Sequence, residues 1–150
     1  MALIEKSMLV GHPVDKMITL VNDVARYPEF LPWCGGAEII EQNERSLHAA
    51  LKIDYKGIRK RFSTRNRVEL PAADRPGYIA MTLVDGPFRM LDGKWSFKPL
   101  GAQACKIEFT LRYEFSSKLL EKMIGPVFGH IANSFVDAFV KRAEALYGES

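Results

Sequence analysis

The clearest pattern in the chain is a near-strict alternation of apolar and polar residues over residues 102–115. The apolar face of this segment consists of Cys105, Ile107, Phe109, Leu111, Tyr113 and Phe115. The opposite face consists of Lys106, Glu108, Thr110, Arg112 and Glu114. A period of two residues indicates a β-strand with one buried face and one exposed face.

A long helical pattern follows this strand and begins at Ser116-Ser117. Its apolar residues recur every three or four positions, which is the spacing of one helix face: Leu119, Leu120, Met123, Ile124, Val127, Phe128, Ile131, Phe135, Phe139, Ala143 and Leu146. A polar stripe remains at His130, Asn133, Asp137, Lys141 and Glu144. A helix with so broad an apolar face needs an apolar surface to lie on, and the strands upstream offer one.

Strand-like segments fill most of the chain before residue 102. Residues 2–10 predict a first strand, and Pro13 then begins an amphipathic helix of about twelve residues. The segment from Tyr27 to Cys34 contains two prolines, which permit at most a short helical turn. Five further strands are predicted over 37–42, 47–55, 58–70, 78–84 and 88–98. Strands joined by short links indicate an antiparallel meander, so residues 1–150 predict a single α+β domain with its helices on one face of a seven-stranded sheet.

Composition bears on the size of the core and on the compartment. A chain of 150 residues can bury a core of its own. No uninterrupted run of about 18 apolar residues is present, so we expect no membrane-spanning segment. Glu5 and Lys6 interrupt the apolar N-terminus, which argues against a signal peptide. Cys34 and Cys105 form no CxxC motif, and we expect a cytoplasmic protein, with peripheral contact at the inner membrane left open.

The charge of the chain is unevenly distributed. The formal net charge is +3, yet residues 52–67 alone hold seven basic residues and one acidic residue. Four of the basic residues alternate along one predicted strand, and we refer to them as the arginine stripe: Arg59, Arg61, Arg65 and Arg67. Charged outer faces of strands are common, but this density also suits the phosphates of RNA or of an anionic membrane.

Residues suited to catalysis or metal binding are scarce. His12, His48 and His130 lack the spacing of metal ligands, and no GxSxG or HExxH motif is present. Asp54 and Asp92 are single carboxylates near predicted turns or bulges. We therefore predict no catalytic residue, no metal site and no DNA partner.

Many large apolar residues could form an ordinary core or could line a pocket between the curved sheet and the long helix. The residues that we predict to line such a pocket are Tyr27, Phe30, Leu31, Trp33, Leu51, Ile53, Phe62, Met81, Leu83, Phe88, Met90, Trp95, Phe109, Leu111, Met123, Val127, Ile131 and Phe135. Phe30, Leu31 and Trp33 lie on the proline-containing segment, which predicts an apolar gate at the surface. Phe88 and Met90 are expected on the opposite wall of that entrance.

Three segments resemble the signatures of one family. Tyr27-Pro28-Glu29-Phe30-Leu31-Pro32-Trp33-Cys34 resembles the segment after the first helix in the START-like family that includes bacterial ribosome association toxins and mitochondrial coenzyme Q-binding proteins. Asp85-Gly86-Pro87-Phe88-Arg89, with Leu91, Gly93, Trp95 and Phe97 after it, is similar to the second signature. The stretch from Tyr113 to Gly148 is similar to the third, so the resemblance covers nearly the whole chain.

The resemblance implies a helix-grip fold, in which a seven-stranded antiparallel sheet wraps around the C-terminal helix and encloses a cavity. Our leading hypothesis is a non-enzymatic protein that binds ubiquinone or a similar isoprenoid lipid in that cavity and supports respiration. Such a lipid is the ligand expected, and no resident cofactor is implied.

Two other functions remain open on the same resemblance. The alternative hypothesis is a ribosome association toxin that binds the large ribosomal subunit and blocks subunit joining, with the arginine stripe as its RNA contact. The third hypothesis is an enzyme of the polyketide cyclase/dehydrase type. This last hypothesis is less favoured, because the sequence offers no acid–base pair to support it.

Overall fold

The computed structural model describes residues 2–72 and 75–148. The elements follow one another as β1 (Ala2–Val10), α1 (Val14–Asn22), a 3₁₀ helix (Val24–Glu29), β2 (Cys34–Gln42), β3 (Ser46–Tyr55), β4 (Ile58–Glu69), β5 (Gly77–Asp85), β6 (Phe88–Pro99), β7 (Cys105–Phe115) and α2 (Lys118–Tyr147). The seven predicted strands and the long helix are confirmed. The first helix is shorter than predicted, because the backbone of Asp23 leaves the helical region and the chain continues as the 3₁₀ helix.

The seven strands form one antiparallel sheet in the order β1-β7-β6-β5-β4-β3-β2. Strands β2 to β7 are the predicted meander, and β1 lies beside β7 with Ala2 opposite Tyr113 and Val10 opposite Cys105. Bulges interrupt the register of β2, β5 and β6. Because a bulge bends a strand and increases its twist, the sheet can curve around the helix that covers its inner face.

Helix α2 lies on the inner face and completes the helix-grip arrangement. The hydroxyl of Ser117 accepts a hydrogen bond from the backbone N–H of Leu120 (3.2 Å) and so caps the N-terminus of the helix. The face toward the sheet consists of Ile124, Phe128, Ile131, Ala132, Val136, Phe139 and Ala143. Leu119, Met123 and Leu146, which the apolar pattern placed on the buried face, are at least half exposed, because they project from the sides and the ends of the helix.

By length and composition alone, α2 is long and apolar enough to cross a membrane. The sequence predicted no membrane-spanning segment, because it contains no uninterrupted apolar run of that length. Core helices of soluble proteins have the same properties, since they too bury a broad apolar face. In this fold, α2 packs against β7, β1 and α1.

Candidate functional site

An interior cavity, partly open to solvent, lies between the inner face of the sheet and α2, and its volume is about 60 Å³. It is lined by Tyr27, Trp33, Leu51, Phe62, Thr64, Met81, Leu91, Phe109, Leu111, Phe128, Ile131, Ala132 and Phe135. This volume has room for only a few water molecules, since about 10–15 Å³ suffices for one. Pockets that hold organic ligands usually measure roughly 300–1,000 Å³.

Aromatic side chains of α2 fill the space that a larger pocket would need. The ring centroid of Phe135 lies 5.6 Å from that of Trp95, 5.7 Å from that of Phe109 and 5.0 Å from that of Phe139. The ring of Phe128 packs in the same way on Tyr113 at 4.8 Å. These contacts belong to two aromatic clusters, one around Phe135 and one around Phe128, which together make up the aromatic core on the inner face of the sheet.

The two hydroxyl groups at the cavity are already used within the protein. Thr64 Oγ1 donates a hydrogen bond to Asn66 Oδ1 (2.8 Å), and the Tyr27 hydroxyl donates to the carbonyl of Val21. Burial, with smaller contributions from Cys34 and Asp23, raises the pKa of Tyr27 well above its usual range. Tyr27 therefore stays protonated and serves as a donor inside the fold, so neither hydroxyl is free to act as an acid or a base in a reaction.

The structure places half of the predicted pocket residues at this cavity: Tyr27, Trp33, Leu51, Phe62, Met81, Phe109, Leu111, Ile131 and Phe135. Ile53, Phe88 and Trp95 belong to the packed core instead, and Leu83, Met90 and Val127 are half-buried beside it. Met123 was placed wrongly, because its side chain is 54% exposed on α2. The prediction missed Thr64, Leu91, Phe128 and Ala132, and the inward position of Thr64 on β4 could have been found from its alternation with Phe62.

The predicted surface gate is wrong for three of its residues. Leu31, Trp33 and Phe88 are at most 6% exposed, and only Phe30 and Met90 are half-buried. The turns after the 3₁₀ helix bring the segment inward, because the Leu31 N–H bonds the Tyr27 carbonyl. Phe88 packs against the rings of the core, including Phe115 at 5.0 Å.

A larger concavity of about 530 Å³ lies on the outside of α2, and we call it the α2 groove. It is lined by Phe30, Leu31, Pro32, Trp33, Tyr55, His130, Ser134, Asp137, Ala138, Lys141, Arg142 and Ala145. One wall is thus the proline-containing segment, the second is the polar stripe of α2, and Tyr55 closes one end at the β3–β4 hairpin. The sequence placed the polar stripe in solvent and gave no sign that residues 30–33 lie opposite it.

Two interactions define the groove. The rings of Tyr55 and His130 are parallel within 6°, with centroids 6.3 Å apart. At the other end, the guanidinium of Arg142 lies 5.0 Å from the ring centroid of Phe30 and forms an ion pair of 2.8 Å with Glu29. These contacts fix Arg142, whose side chain is only 18% exposed, as part of the wall.

The arginine stripe is exposed on the outer face of β4, as predicted, but carboxylates offset most of its charge. Arg59 pairs with Asp54 at 3.6 Å, Arg61 with Glu38 at 3.4 Å and Arg67 with Glu69 at 3.4 Å. Within residues 2–72 and 75–148, only Arg65 of the stripe has no such ion pair. Sequence reasoning missed the partner of Arg61, because Glu38 lies on β2 and comes close only when the sheet forms.

Three lysines near the β3–β4 turn are not offset in this way, and we call Lys52, Lys56 and Lys60 the hairpin lysines. None of them forms an ion pair with a residue that the structure describes. The turn itself is Lys56-Gly57, with positive φ values of 50° and 82°, which is the backbone of a tight hairpin turn. Lys60 lies opposite Ile53, on the same face of the hairpin as Tyr55. Cationic side chains therefore adjoin the Tyr55 end of the α2 groove.

Comparison with known proteins agrees with this geometry. The family model described as "Polyketide cyclase / dehydrase and lipid transport" matches residues 10–140. The chain belongs to this family. The START-like resemblance of the three segments is thereby confirmed.

Relatives within the family match nearly the whole chain. The "Ribosome association toxin RatA" of Vibrio cholerae serotype O1 is 45% identical over 150 residues, which cover 99% of this chain and all of that protein. The protein of the same name from Escherichia coli K12 is 43% identical over 147 residues, which cover 98% of this chain and 90% of that protein. The mitochondrial "Coenzyme Q-binding protein COQ10 homolog B" of Xenopus laevis is 26% identical over 147 residues, which cover 95% of this chain and 58% of that protein.

Solved structures share the fold of this chain at low identity. The Zhui aromatase/cyclase from Streptomyces sp. R1128 superposes with a TM-score of 0.80 at 19% identity, covering 95% of this chain and 93% of that one. A START superfamily protein from Mycobacterium smegmatis superposes with a TM-score of 0.75 at 21% identity, covering 96% and 98%. At these identities the likeness establishes the helix-grip fold and carries no activity across.

Proposed function

We propose that this protein binds the large ribosomal subunit and blocks subunit joining, as the alternative hypothesis of the sequence analysis holds. The observation that carries the proposal is the 45% identity over essentially full length to a protein named as a ribosome association toxin. The coenzyme Q-binding relative is more distant, at 26% identity, and is matched over 58% of its length.

The size of the interior also favours the ribosome over the quinone. A cavity of about 60 Å³ is smaller than the cavity of about 150 Å³ that admits benzene in another protein. A quinone ring with an isoprenoid tail would have to displace Phe135 or Phe128 from the aromatic core. Ubiquinone binding, our leading hypothesis from sequence, is therefore the weaker of the two.

An enzymatic role has the least support. The hydroxyls of Tyr27 and Thr64 are engaged in hydrogen bonds within the protein, and the other side chains at the cavity are apolar. The relatives named above are a toxin and a binding protein. We infer that the chain acts by binding.

Sedimentation of purified ribosomal subunits tests the proposal. The subunits are mixed under conditions that favour joining, with and without the protein, and are separated on a sucrose gradient. We expect the protein to sediment with the large subunit and the fraction of joined ribosomes to fall as its concentration rises. An unchanged ratio of joined ribosomes to free subunits at saturating protein would contradict the proposal.

The same preparation separates the two main hypotheses. The purified protein is extracted with organic solvent, and the extract is analysed by mass spectrometry for quinones. We expect no stoichiometric quinone from a cavity of this size. A quinone recovered at one equivalent, together with subunits that join normally, would restore the lipid-binding hypothesis in place of ours.

A further inference from the structure

The α2 groove has the size and the walls of a ligand site that the interior cavity lacks. Its volume of about 530 Å³ falls within the roughly 300–1,000 Å³ that is usual for ligand pockets, a size class that includes a single nucleotide. It combines apolar side chains at residues 30–33 with polar side chains of α2. Such a mixture suits a ligand with a flat apolar part and a charged part.

The Tyr55 end of the groove offers a stacking surface. Tyr55 is half-buried and His130 is exposed, so this pair of parallel rings is partly accessible from solvent. Proteins recognise unpaired nucleotides of RNA by stacking the bases on Tyr, Phe, Trp or His side chains. A base that lies parallel to Tyr55 and His130 would extend this stack.

Cationic side chains lie at the Tyr55 end of the groove. Lys56 Nζ lies over the Tyr55 ring, 5.5 Å from its centroid, and Lys60 is on the same face of the hairpin. Lys141 is exposed along the groove, where Asp137 is the one acidic side chain of the lining. Charge complementarity therefore favours an anionic ligand, such as a nucleotide within RNA, over a neutral or cationic ligand that carries a similar ring.

From this arrangement we propose that the α2 groove receives an unpaired nucleotide of ribosomal RNA. The base stacks on Tyr55 and His130, and the flanking phosphates lie at Lys56 and Lys60. This inference rests on the proposed binding to the large ribosomal subunit and assigns that binding to the groove in place of the arginine stripe.

The decisive experiment compares two tyrosines that differ in their position. Tyr78 on the outer face of β5 is half-buried like Tyr55 and also has a lysine over its ring, with Lys94 Nζ at 4.8 Å, but it lies outside the groove. Affinity for purified large subunits is measured for the wild type, Tyr55→Ala and Tyr78→Ala. We expect Tyr55→Ala to weaken binding roughly five- to 100-fold, and Tyr78→Ala to stay within about twofold.

Two further variants separate stacking from folding. Tyr55→Phe keeps the ring and should bind within about threefold of the wild type, because stacking does not need the hydroxyl. His130→Ala changes an exposed residue, so the protein should keep its melting temperature and still lose affinity. If Tyr55→Ala and His130→Ala both bind as well as the wild type, the groove is not the site, although the ribosome function stands. If the wild type itself does not bind subunits, the proposed function fails first.

A fluorescence titration identifies the ligand chemistry. Trp33 lines the groove, whereas Trp95 is fully buried in the core, so a groove ligand should change the emission of Trp33. We expect a single-stranded RNA oligonucleotide to bind more tightly than a duplex of the same length and more tightly than a mononucleotide. A preference for the duplex would indicate recognition of the backbone alone, and tight binding of a mononucleotide would indicate a free-nucleotide site. Either result, or Tyr55-dependent binding to phosphatidylserine vesicles without RNA binding, would overturn the inference.

Discussion

Among single residues, Trp33 has the most unusual position, because its side chain lines both the interior cavity and the α2 groove. It is 5% exposed, and its ring centroid is 6.1 Å from that of Phe135. The indole therefore helps to close the core and also contributes to the wall of the groove. The proline-containing segment that carries Trp33 therefore separates the interior cavity from the α2 groove. If this segment opened as a gate, the packing of Trp33 against Phe135 would be lost.

Truncation of the Trp33 side chain should lower the stability of the fold. We expect Trp33→Ala to lower the free energy of unfolding by about 3–5 kcal/mol, because it removes a buried aromatic side chain and leaves a cavity. Leu119→Ala is the control, since Leu119 is 67% exposed on α2 and should change stability by less than about 0.5 kcal/mol. Denaturant unfolding of both variants makes the comparison. A Trp33→Ala protein as stable as the control would mean that the segment is a mobile gate after all.

Among the elements, β4 carries polar side chains on both faces. The arginines on its outer face are exposed to solvent, and Thr64 and Asn66 on its inner face are buried. Its outer face carries the arginine stripe, and its inner face carries Phe62, Thr64, Asn66 and Val68, all of them buried. Thr64 and Asn66 tolerate burial because the hydroxyl of one donates to the amide oxygen of the other. The two buried polar side chains on this inner face thus satisfy part of each other's hydrogen-bonding capacity.

Removal of this internal hydrogen bond should be costly. We expect Thr64→Val, which keeps the shape of the side chain, to lower the free energy of unfolding by about 1–3 kcal/mol, because Asn66 Oδ1 then loses its donor inside the core. Thr82→Val is a matched control, since Thr82 is exposed on the neighbouring strand and its hydroxyl makes only a long bond of 3.4 Å. Thermal melting of the two variants measures the difference. Equal melting temperatures would contradict a structural role for the Thr64–Asn66 pair.

The same elements show what the sequence could and could not predict. Alternation in β7 and the apolar spacing of α2 reflect burial against one surface, so the strands, the long helix and nine of the 13 residues that line the cavity were predictable. Thr64 was missed because a hydrogen bond to another side chain offsets the cost of its burial, which hydropathy does not record. Met123 was misplaced because the helical spacing of apolar residues predicts which side of the helix is buried. It does not predict how far the buried face extends around the helix. The α2 groove depends on residues 30–33 meeting α2, an interaction between distant parts of the chain.

For the whole molecule, folding redistributes the basic charge of residues 52–67 between two surfaces. On the outer face of the sheet, Glu38, Asp54 and Glu69 lie within ion-pair distance of three of the four stripe arginines. At the end of the β3–β4 hairpin, Lys56 lies over the ring of Tyr55 and Lys60 is on the same face as Tyr55, and neither forms an ion pair with a described residue. Two cations without a described ion-pair partner therefore lie on the same part of the hairpin as the half-buried ring of Tyr55.

This distribution predicts that two double variants with the same change of charge behave differently. Lys56→Gln with Lys60→Gln should weaken binding to the large ribosomal subunit and should reduce the log–log salt slope by about 0.7–0.9 for each phosphate that is no longer neutralised. Arg61→Gln with Arg67→Gln removes the same charge from arginines that carboxylates already pair with, so the slope should change much less. Subunit binding at several salt concentrations gives both slopes. A larger decrease of the slope in the arginine variant would place the RNA-binding surface on the outer face of the sheet and would refute the assignment to the groove.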